Sequence, residues 1–471
     1  MRLAIDIGGT FTDLVLETGN DLLTKKVLTS ISQPELAVIE GVSELLEENN
    51  IKASDIKMII HGTTLATNAV IERKGAKTCF ITTSGFRDVL DIGYESRFDQ
   101  YDILIDKTMS LVPRKHRYVI DERTDVNGSI ITSIDKDQFY NLINKIKNEN
   151  FESIAVGFLH SYANPENEKI LKAFLTNELP DVEVSVSSDV CPEIREYERF
   201  TTTVVNAYIK PLMSNYLKKL DQKLLNSGFN CPLLLMTSGG TLTNISSACN
   251  NPVRLVESGP AGGAILATSI AEDMNLSKVI SFDMGGTTAK ITIIENKKAI
   301  KAREFEVDRK ARFKKGSGYP LRIPVIEMVE IGAGGGSIAR VNKLEQIITG
   351  PDSAGSFPGP ACYSNGGSMP TITDADLVIG KINPDNFAGG KIKLSKQLAD
   401  KAITENIVKF VNIDTNIAAL AISEIVDETM SNAARVHTVE QGHETSNRTL
   451  IAFGGAAPLH IARVAEKLRV S

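Results

Sequence analysis

The chain has 471 residues, 42% of them apolar and 23% charged, with a formal net charge of −6. That length exceeds the roughly 250–300 residues one core usually supports, so two domains are expected. The acidic balance, with no Lys/Arg run, argues against nucleic acid as a partner, and no apolar stretch approaches the ~18–20 residues that span a bilayer. The N-terminus opens on a core strand with no basic n-region or apolar h-region, which argues against secretion. Five scattered cysteines without a CxxC pair fit free thiols in a reducing cytoplasm. Six dispersed histidines show no HxH or HExxH spacing, so no zinc site is expected.

Residues 1–30 read as successive strands, and Pro34 starts a helix with Leu36, Ile39, Val42, Leu45 and Leu46 on one face. A strand over 56–61 turns through Gly62-Thr63-Thr64 into a helix, and Cys79–Thr83 is another strand. Residues 85–130 have weak periodicity and read as a functional insertion. Alternation resumes with a helix at 136–149, a strand at 154–159, a helix at 165–178 and a strand at 182–186. A helix over about 200–226, crossed by Pro211, opens the second half, and Leu233–Met236 is a strand. Residues 308–370 read as long loops around short strands. A helix over 416–440 is expected to share a face among Ile417, Leu420, Ala421, Ile425, Met430, Ala433 and Ala434. A strand at 450–453 and a helix at 458–468 follow. Strands alternating with helices predict an α/β fold.

The most informative feature is a repeat. Asp6-Ile7-Gly8-Gly9-Thr10 returns as Asp283-Met284-Gly285-Gly286-Thr287, each between strand-like runs. Glycines let backbone N–H groups approach phosphate oxygens without a Cβ in the way. A carboxylate at the strand end is placed to hold Mg²⁺, directly or through water. A third strand-to-helix turn, Phe453-Gly454-Gly455-Ala456, could lay its backbone against a nucleoside. Gly332–Ser337 is neither a Walker A loop nor GxGxxG, and a cleft-lining loop is the expectation. His61–Asn68 collects a His, three Thr and an Asn at a strand-to-helix junction. Capping by Thr63 or Thr64 and ligand binding there both remain open. Arg87, Asp88 and Arg97 cluster charge within the insertion, and a solvated loop is equally open. No local spacing encodes Ser-His-Asp or Cys-His catalysis.

Phosphate turn, phosphate turn and Gly-Gly turn, in that order, resemble the two-lobed ATPases of the actin, hexokinase and Hsp70 type, with duplicated RNase H-like domains. More specifically, Asp6–Asp13, His61–Asn68, Gly85–Asp88, Pro192–Arg199, Glu257–Gly262, Asp283–Thr287, Gly332–Ile338, Gly350–Gly355, Pro358–Tyr363, Thr373–Asp376 and Phe453–Ala456 resemble the hydantoinase A / 5-oxoprolinase family, in order and along the whole chain. The resemblance implies an N-terminal domain over 1–195 and a hydantoinase A-type domain over 196–471. It implies ATP-dependent opening of a cyclic amide such as a hydantoin or 5-oxoproline, with ketone carboxylation by related subunits as the alternative. It also implies a hydantoinase B-type partner and a homo- or hetero-oligomer. Members usually continue well past the Phe453-Gly-Gly motif, so the family's C-terminal domain is expected to be missing here. A nucleotide-binding scaffold for a partner subunit is the alternative of another class.

With that resemblance, Asp6, Asp13 and Asp283 are the candidate catalytic residues, Asp6 and Asp283 as Mg²⁺ ligands. Gly8, Gly9, Thr10, Gly285, Gly286, Thr287 and Thr288 would hold the ATP phosphates. Thr12 and Asp13 would orient the γ-phosphate or the attacking oxygen, and Gly454 and Gly455 would flank the nucleoside. His61, Thr63, Thr64, Asn68, Arg87, Asp88 and Arg97 are the candidates for the substrate side.

Overall fold

The structure, a computed structural model, describes residues 1–8, 11–19, 21–29, 33–94, 97–105, 107–310, 316–355, 357–390 and 392–470. It divides into two compact units, Met1–Gly262 with Lys301–Val325, and Gly263–Ile300 with Ile326–Ser471.

The first unit opens with an antiparallel meander, β1 (Arg2–Ile7), β2 (Phe11–Thr18) and β3 (Asp21–Leu28). Strict alternation buries Leu3, Ile5 and Ile7 and leaves Arg2, Ala4 and Asp6 on the other face. Helix α1 (Pro34–Glu48) begins on its proline and buries Val38, Val42 and Leu45 against the sheet. The chain then returns as β4 (Met58–Thr63), parallel to β1, and leads into α2 (Leu65–Ile71).

A second, all-parallel sheet comes next. It contains β5 (Thr78–Thr83), β6 (Arg117–Ile120), β7 (Ser153–Gly157) and β8 (Glu183–Val186) in the order β8-β7-β5-β6. The segment 85–130 is therefore not loop throughout, because β6 lies within it and pairs with β5. Four residues, ArgTyrValIle, are too few for periodicity to show. Helices α3 (Lys136–Glu149) and α4 (Glu166–Glu178) cover one face with Phe139, Ile143, Leu171 and Leu175.

Helix α5 (Glu196–Asn226) explains why compact folding does not stop at 195. Its Phe200, Val204 and Ala207 pack on Phe80 and Ala155 of the parallel sheet. Further along, Ile209, Met213, Leu217 and Leu220 enter the core of the first sheet. That sheet is completed by β9 (Leu233–Met236) and β10 (Leu242–Asn244), in the order β10-β9-β4-β1-β2-β3. The excursion 301–325 returns to the same core through Val307, Tyr319, Leu321, Ile323 and Val325.

Arg199 closes the Pro192–Arg199 motif and is wholly buried. It donates to the carbonyls of Phe158 and Glu193, both at 2.9 Å, and to Ser187 Oγ at 3.3 Å. Without it the Phe158 and Glu193 carbonyls each lose a 2.9 Å donor, and the cavity of a fully buried side chain opens beside them. Arg199→Met is expected to destabilise the protein by about 3–5 kcal/mol, read as a lower urea midpoint. An unchanged midpoint would remove Arg199 from the core's polar framework.

Helix α6 (Ser258–Asp273) leads into the second unit, whose sheet contains β11 (Lys278–Met284), β12 (Ala289–Glu295), β13 (Lys298–Ala299) and β14 (Met328–Ile331). The helices α7 (Ile372–Val378) and α8 (Thr415–Glu440) precede β15 (Thr449–Phe453), and α9 (Ala457–Leu468) follows it. Strand β15 runs parallel to β11, and β12 antiparallel to it. The trio β11, β12, β15 thus repeats β1, β2, β4, which is the duplicated α/β core. In α8 the buried stripe is Ala418, Ala419, Ile422, Val426, Met430 and Ala434, while Ile417 and Leu420 are each 57% exposed. The expected face holds at Met430 and Ala434 but is one residue early in the first half of the helix, where Ala418, Ala419, Ile422 and Val426 are packed in place of Ile417, Leu420, Ala421 and Ile425.

Candidate functional site

In the first unit, Asp6 is the penultimate residue of β1, directly opposite Asp13 on β2 and Gly62 on β4. Asp6 and Asp13 lie on the same face, so two carboxylates oppose one another across the strands. Like charges so placed repel unless a cation intervenes. Lys26 Nζ stands 2.5 Å from Asp13 Oδ1. A Cβ on Gly62 would come within 2.9 Å of Asp6 Oδ1, so only glycine lets the carboxylate lie over β4. Gly259, at the start of α6, flanks the same carboxylate: its Cβ would stand 3.7 Å from Asp6 Oδ1.

Thr12 does not face Asp13's side. It is buried, and its Oγ1 lies 3.0 Å from Thr29 Oγ1, which donates to the Gly8 carbonyl at 3.1 Å. Thr12 therefore braces the turn from beneath. Gly9 and Thr10 lie outside the described residues.

The His61–Asn68 segment separates into distinct roles. Thr64 Oγ1 donates to the Ile7 carbonyl at 3.2 Å and accepts from Asn68 Nδ2 at 3.3 Å. Thr63 is buried, and its Oγ1 accepts from the Leu65 amide at 3.1 Å while its carbonyl accepts from Ser258 Oγ at 3.1 Å. Thr67 Oγ1 accepts from the Glu257 amide at 3.0 Å. The Glu257–Gly262 and His61–Asn68 motifs are thus stitched together at the end of β1.

His61 points the other way, into the core. Its Nδ1 is 3.2 Å from the Ile5 carbonyl and its Nε2 is 2.8 Å from Tyr216 Oη. Burial drives its pKa down to about 4, partly opposed by the Ile5 carbonyl. A fully buried imidazole cannot meet substrate, so His61 is a core residue. Unfolding lets it regain an ordinary pKa near 6.5 and bind a proton, so its contribution is present above ~6.5 and falls as pH drops toward 4. His437 is depressed in the same way and adds to the slope. In His61→Gln the loss of stability per pH unit across that window is expected to shrink by up to ~1.4 kcal/mol. Urea unfolding at pH 7, 6 and 5 checks this, and an undiminished slope would contradict a neutral buried His61.

Arg87 and Asp88 follow β5 of the other sheet. Asp88 is held by Arg114 in a two-pronged pair, at 2.8 and 3.0 Å, with Arg87 at 3.8 Å. Arg114 lowers the Asp88 pKa. Arg97 is exposed. Arg87 and Asp88 thus lie beyond a strand of a different sheet from the one that carries Asp6.

The second unit repeats the first arrangement. Asp283 is the penultimate residue of β11, opposite Lys290 on β12 and Phe453 on β15. Gly454, at φ +89°, tucks under it: a Cβ there would lie 2.6 Å from the Met284 carbonyl oxygen and 2.7 Å from Asp283 Oδ1. Burial raises the Asp283 pKa, with Lys290 opposing. The turn closes on itself, Gly285 N donating to the Thr288 carbonyl at 3.1 Å, while Gly286 and Thr287 are exposed. Behind it lies the glycine run. Gly335 N donates to the Gly285 carbonyl at 3.0 Å and Gly336 N to the Gly286 carbonyl at 2.6 Å. A Cβ on Gly334 would come within 2.5 Å of the Thr287 backbone. Gly332–Ser337 is therefore a backing for the phosphate turn.

The hydantoinase/oxoprolinase family model matches residues 199–471, and the model of that family's N-terminal region matches 2–179. The chain belongs to the hydantoinase/oxoprolinase family. A Methanocaldococcus jannaschii protein is 41% identical over all of this chain and 69% of its own length. Caprolactamase subunit alpha from Pseudomonas jessenii is 34% identical over 99% of this chain and 67% of its own. The crystal structure of that ATP-dependent caprolactamase superposes with a TM-score of 0.85 at 32% identity, covering all of this chain and 68% of the other. Nucleotide-free acetone carboxylase, solved in a study of ATP-dependent acetone carboxylation, gives 0.84 at 25% identity, covering all of this chain and 67% of the other.

For a family member, the carboxylates suit one kind of cation. Asp6 and Asp283 offer hard oxygen donors at strand ends, each cradled by a glycine whose Cβ would crowd it. Among the described residues, no three or more His, Cys, Asp or Glu gather as a metal cage. Either carboxylate by itself is a donor of the kind Mg²⁺ takes, since that ion binds through one or two carboxylates and phosphates while keeping several waters. Gly62, Gly259 and Gly334–Gly336 lie in stretches that the sequence singles out, but their contacts with Asp6 and with the Gly285–Thr287 turn are not readable from it, because each partner is far away in sequence.

Proposed function

We propose that this protein binds ATP at its two Asp-x-Gly-Gly-Thr turns and uses it to phosphorylate the carbonyl oxygen of a cyclic amide, opening the ring. The observation that carries this reading is a repeated contact between a strand aspartate and a glycine supplied by the neighbouring parallel strand or the turn after it, Asp6 with Gly62 on β4 and Asp283 with Gly454 just past β15. Membership in a family that includes an ATP-dependent caprolactamase supplies the substrate class.

An amide resists water because resonance gives its C–N bond partial double-bond character. In the proposed reaction the carbonyl oxygen attacks the γ-phosphorus and ADP departs, leaving a phosphorylated imidate. One water then adds at carbon, and the C–N bond breaks as nitrogen takes a proton. A second water displaces inorganic phosphate, again by attack at carbon. Each ~1.4 kcal/mol removed from the barrier gives a tenfold rate gain. Asp6 and Asp283 would hold Mg²⁺, which supplies charge neutralisation on the phosphates. Gly286, Thr287, Thr288 and the Gly8–Thr10 turn would position the phosphates, and Gly454 and Gly455 the nucleoside. Asp13, beside Lys26, would orient the attacking group. Thr64 and Asn68, at the end of β1, are the better candidates for the substrate side. Arg87, Asp88 and Arg97 would serve that side only from their own part of the unit. We further propose a hydantoinase B-type partner that completes hydrolysis.

The likeness to acetone carboxylase favours a second reading, phosphorylation of an enol oxygen ahead of carboxylation. An ATPase screen with hydantoins, 5-oxoproline, larger lactams and small ketones, with and without the B-type protein, tests both. Stimulation by cyclic amides supports the first reading, and bicarbonate-dependent stimulation by ketones the second. Bound ATP with no stimulated ADP release, even with the partner present, would indicate a nucleotide-binding scaffold.

A further inference from the structure

A buried charged cluster in the second unit has no role in the chemistry above. His460, on α9, is wholly buried. Its Nδ1 is 2.7 Å from Asp427 Oδ1 on α8, and its Nε2 is 3.0 Å from Asp376 Oδ2 on α7. Ser423 Oγ donates to Asp376 Oδ1 at 3.3 Å, and Lys381 Nζ lies 3.7 Å from the same oxygen. Both imidazole nitrogens face carboxylates, and only the protonated ring has a donor for each. The cluster then balances two carboxylates against an imidazolium and an ammonium. In keeping with this, the two carboxylates overcome burial and raise the His460 pKa to about 9. The other charges of α8 and α9 near this contact, Glu424, Glu428, Arg463 and Lys467, pair with one another at the surface.

The helices joined here are the ones that hold both nucleotide turns. Helix α9 begins just after Gly454-Gly455, and the Ala456 amide donates to the Met284 carbonyl at 2.9 Å. On α7, Thr373 donates through both its amide and Oγ1 to the Gly335 carbonyl, each at 2.8 Å, behind the Gly285–Thr287 turn. Asp376 follows one turn later on the same helix. We infer that Asp376, His460 and Asp427 form a positioning triad that fixes the Gly454-Gly455 turn relative to the Gly285–Thr287 turn, and so sets nucleotide affinity. This rests on the reading of those turns as nucleotide-binding. A buried charged network of this kind rigidifies its surroundings: Nδ1 is hydrogen-bonded to Asp427, Nε2 makes an ion pair with Asp376 without hydrogen-bond geometry, and removing the imidazolium takes from both carboxylates their shared counter-charge.

The test is calorimetric binding of a non-hydrolysable ATP analogue with Mg²⁺ to the full chain, alongside thermal melting. His460→Gln is expected to weaken binding about 10- to 100-fold through misplacement of the turns, while the protein remains folded at the assay temperature. Wild-type affinity should also fall between pH 8 and 10, with a midpoint near 9, as His460 loses its proton. Asp427→Asn should move that midpoint to lower pH. A folded His460→Gln that binds like wild type overturns the inference. If that variant does not fold, a wild-type affinity that stays level from pH 8 to 10, or an unmoved midpoint in Asp427→Asn, overturns it instead. Wild-type protein that binds no analogue defeats the nucleotide reading itself, and this inference with it.

Discussion

Replacing Asp6 by Asn is expected to reduce ATP turnover by at least about 10²–10³-fold, the scale of losing one preorganised charge-stabilising group. The same variant should melt at or slightly above the wild-type temperature. Asn keeps the shape of Asp, so the contact over Gly62 survives. It also removes one of two carboxylates that face each other across β1 and β2, so relief of like-charge repulsion offsets the loss of whatever Asp6 itself contacts. Loss of activity together with unchanged or raised stability is the signature of a group kept for chemistry. Retained turnover would remove Asp6 from the mechanism, and a large drop in melting temperature would make it a structural residue.

Gly454→Ala is expected to act on both fold and function. The position has φ +89°, where a Cβ is strained, and that Cβ would meet the Met284 carbonyl oxygen at 2.6 Å and Asp283 Oδ1 at 2.7 Å. Strain and overpacking together should destabilise by about 2–4 kcal/mol. The carboxylate must also shift, so Mg-nucleotide affinity should fall by more than about 100-fold. Gly455→Ala is the informative neighbour. Nothing lies within 4 Å of a Cβ there, so stability should change by less than ~0.5 kcal/mol. Weakened nucleotide binding in that variant would then report close approach of the ligand itself. Urea midpoints and analogue affinities of the two variants, measured together, separate the effects. A Gly454→Ala protein with wild-type stability would refute the crowding argument.

The strand-turn-strand units around Asp6 and Asp283 were legible because strand alternation and a glycine pair are local signals. So were the long helices Pro34–Glu48, Glu196–Asn226 and Thr415–Glu440, but not the glycine-containing Ser258–Asp273. What could not be read was register. Gly62 meets Asp6, and Gly454 meets Asp283, through parallel pairings whose partners are tens to well over a hundred residues apart. The return of 301–325 to the first unit is equally non-local. His61 is a different case, since its inward direction was readable. Residues 58–63 alternate, with Ile59, His61 and Thr63 buried, so the imidazole shares the core face. Thr12 follows the same rule, sharing the inward side of β2 with Leu14 and Leu16. A polar residue at an inward strand position is a core partner before it is a ligand.

The fate of the carbonyl oxygen distinguishes phosphorylation of the amide from direct attack by water. A cyclic amide that stimulates ADP release would be prepared with ¹⁸O at its carbonyl and turned over by this protein with ATP, Mg²⁺ and the B-type partner. Phosphorylation of that oxygen, followed by attack of water at carbon, predicts that the label leaves in inorganic phosphate. Ring opening coupled to ADP release, with the label retained entirely in the product carboxylate and none in phosphate, would contradict it.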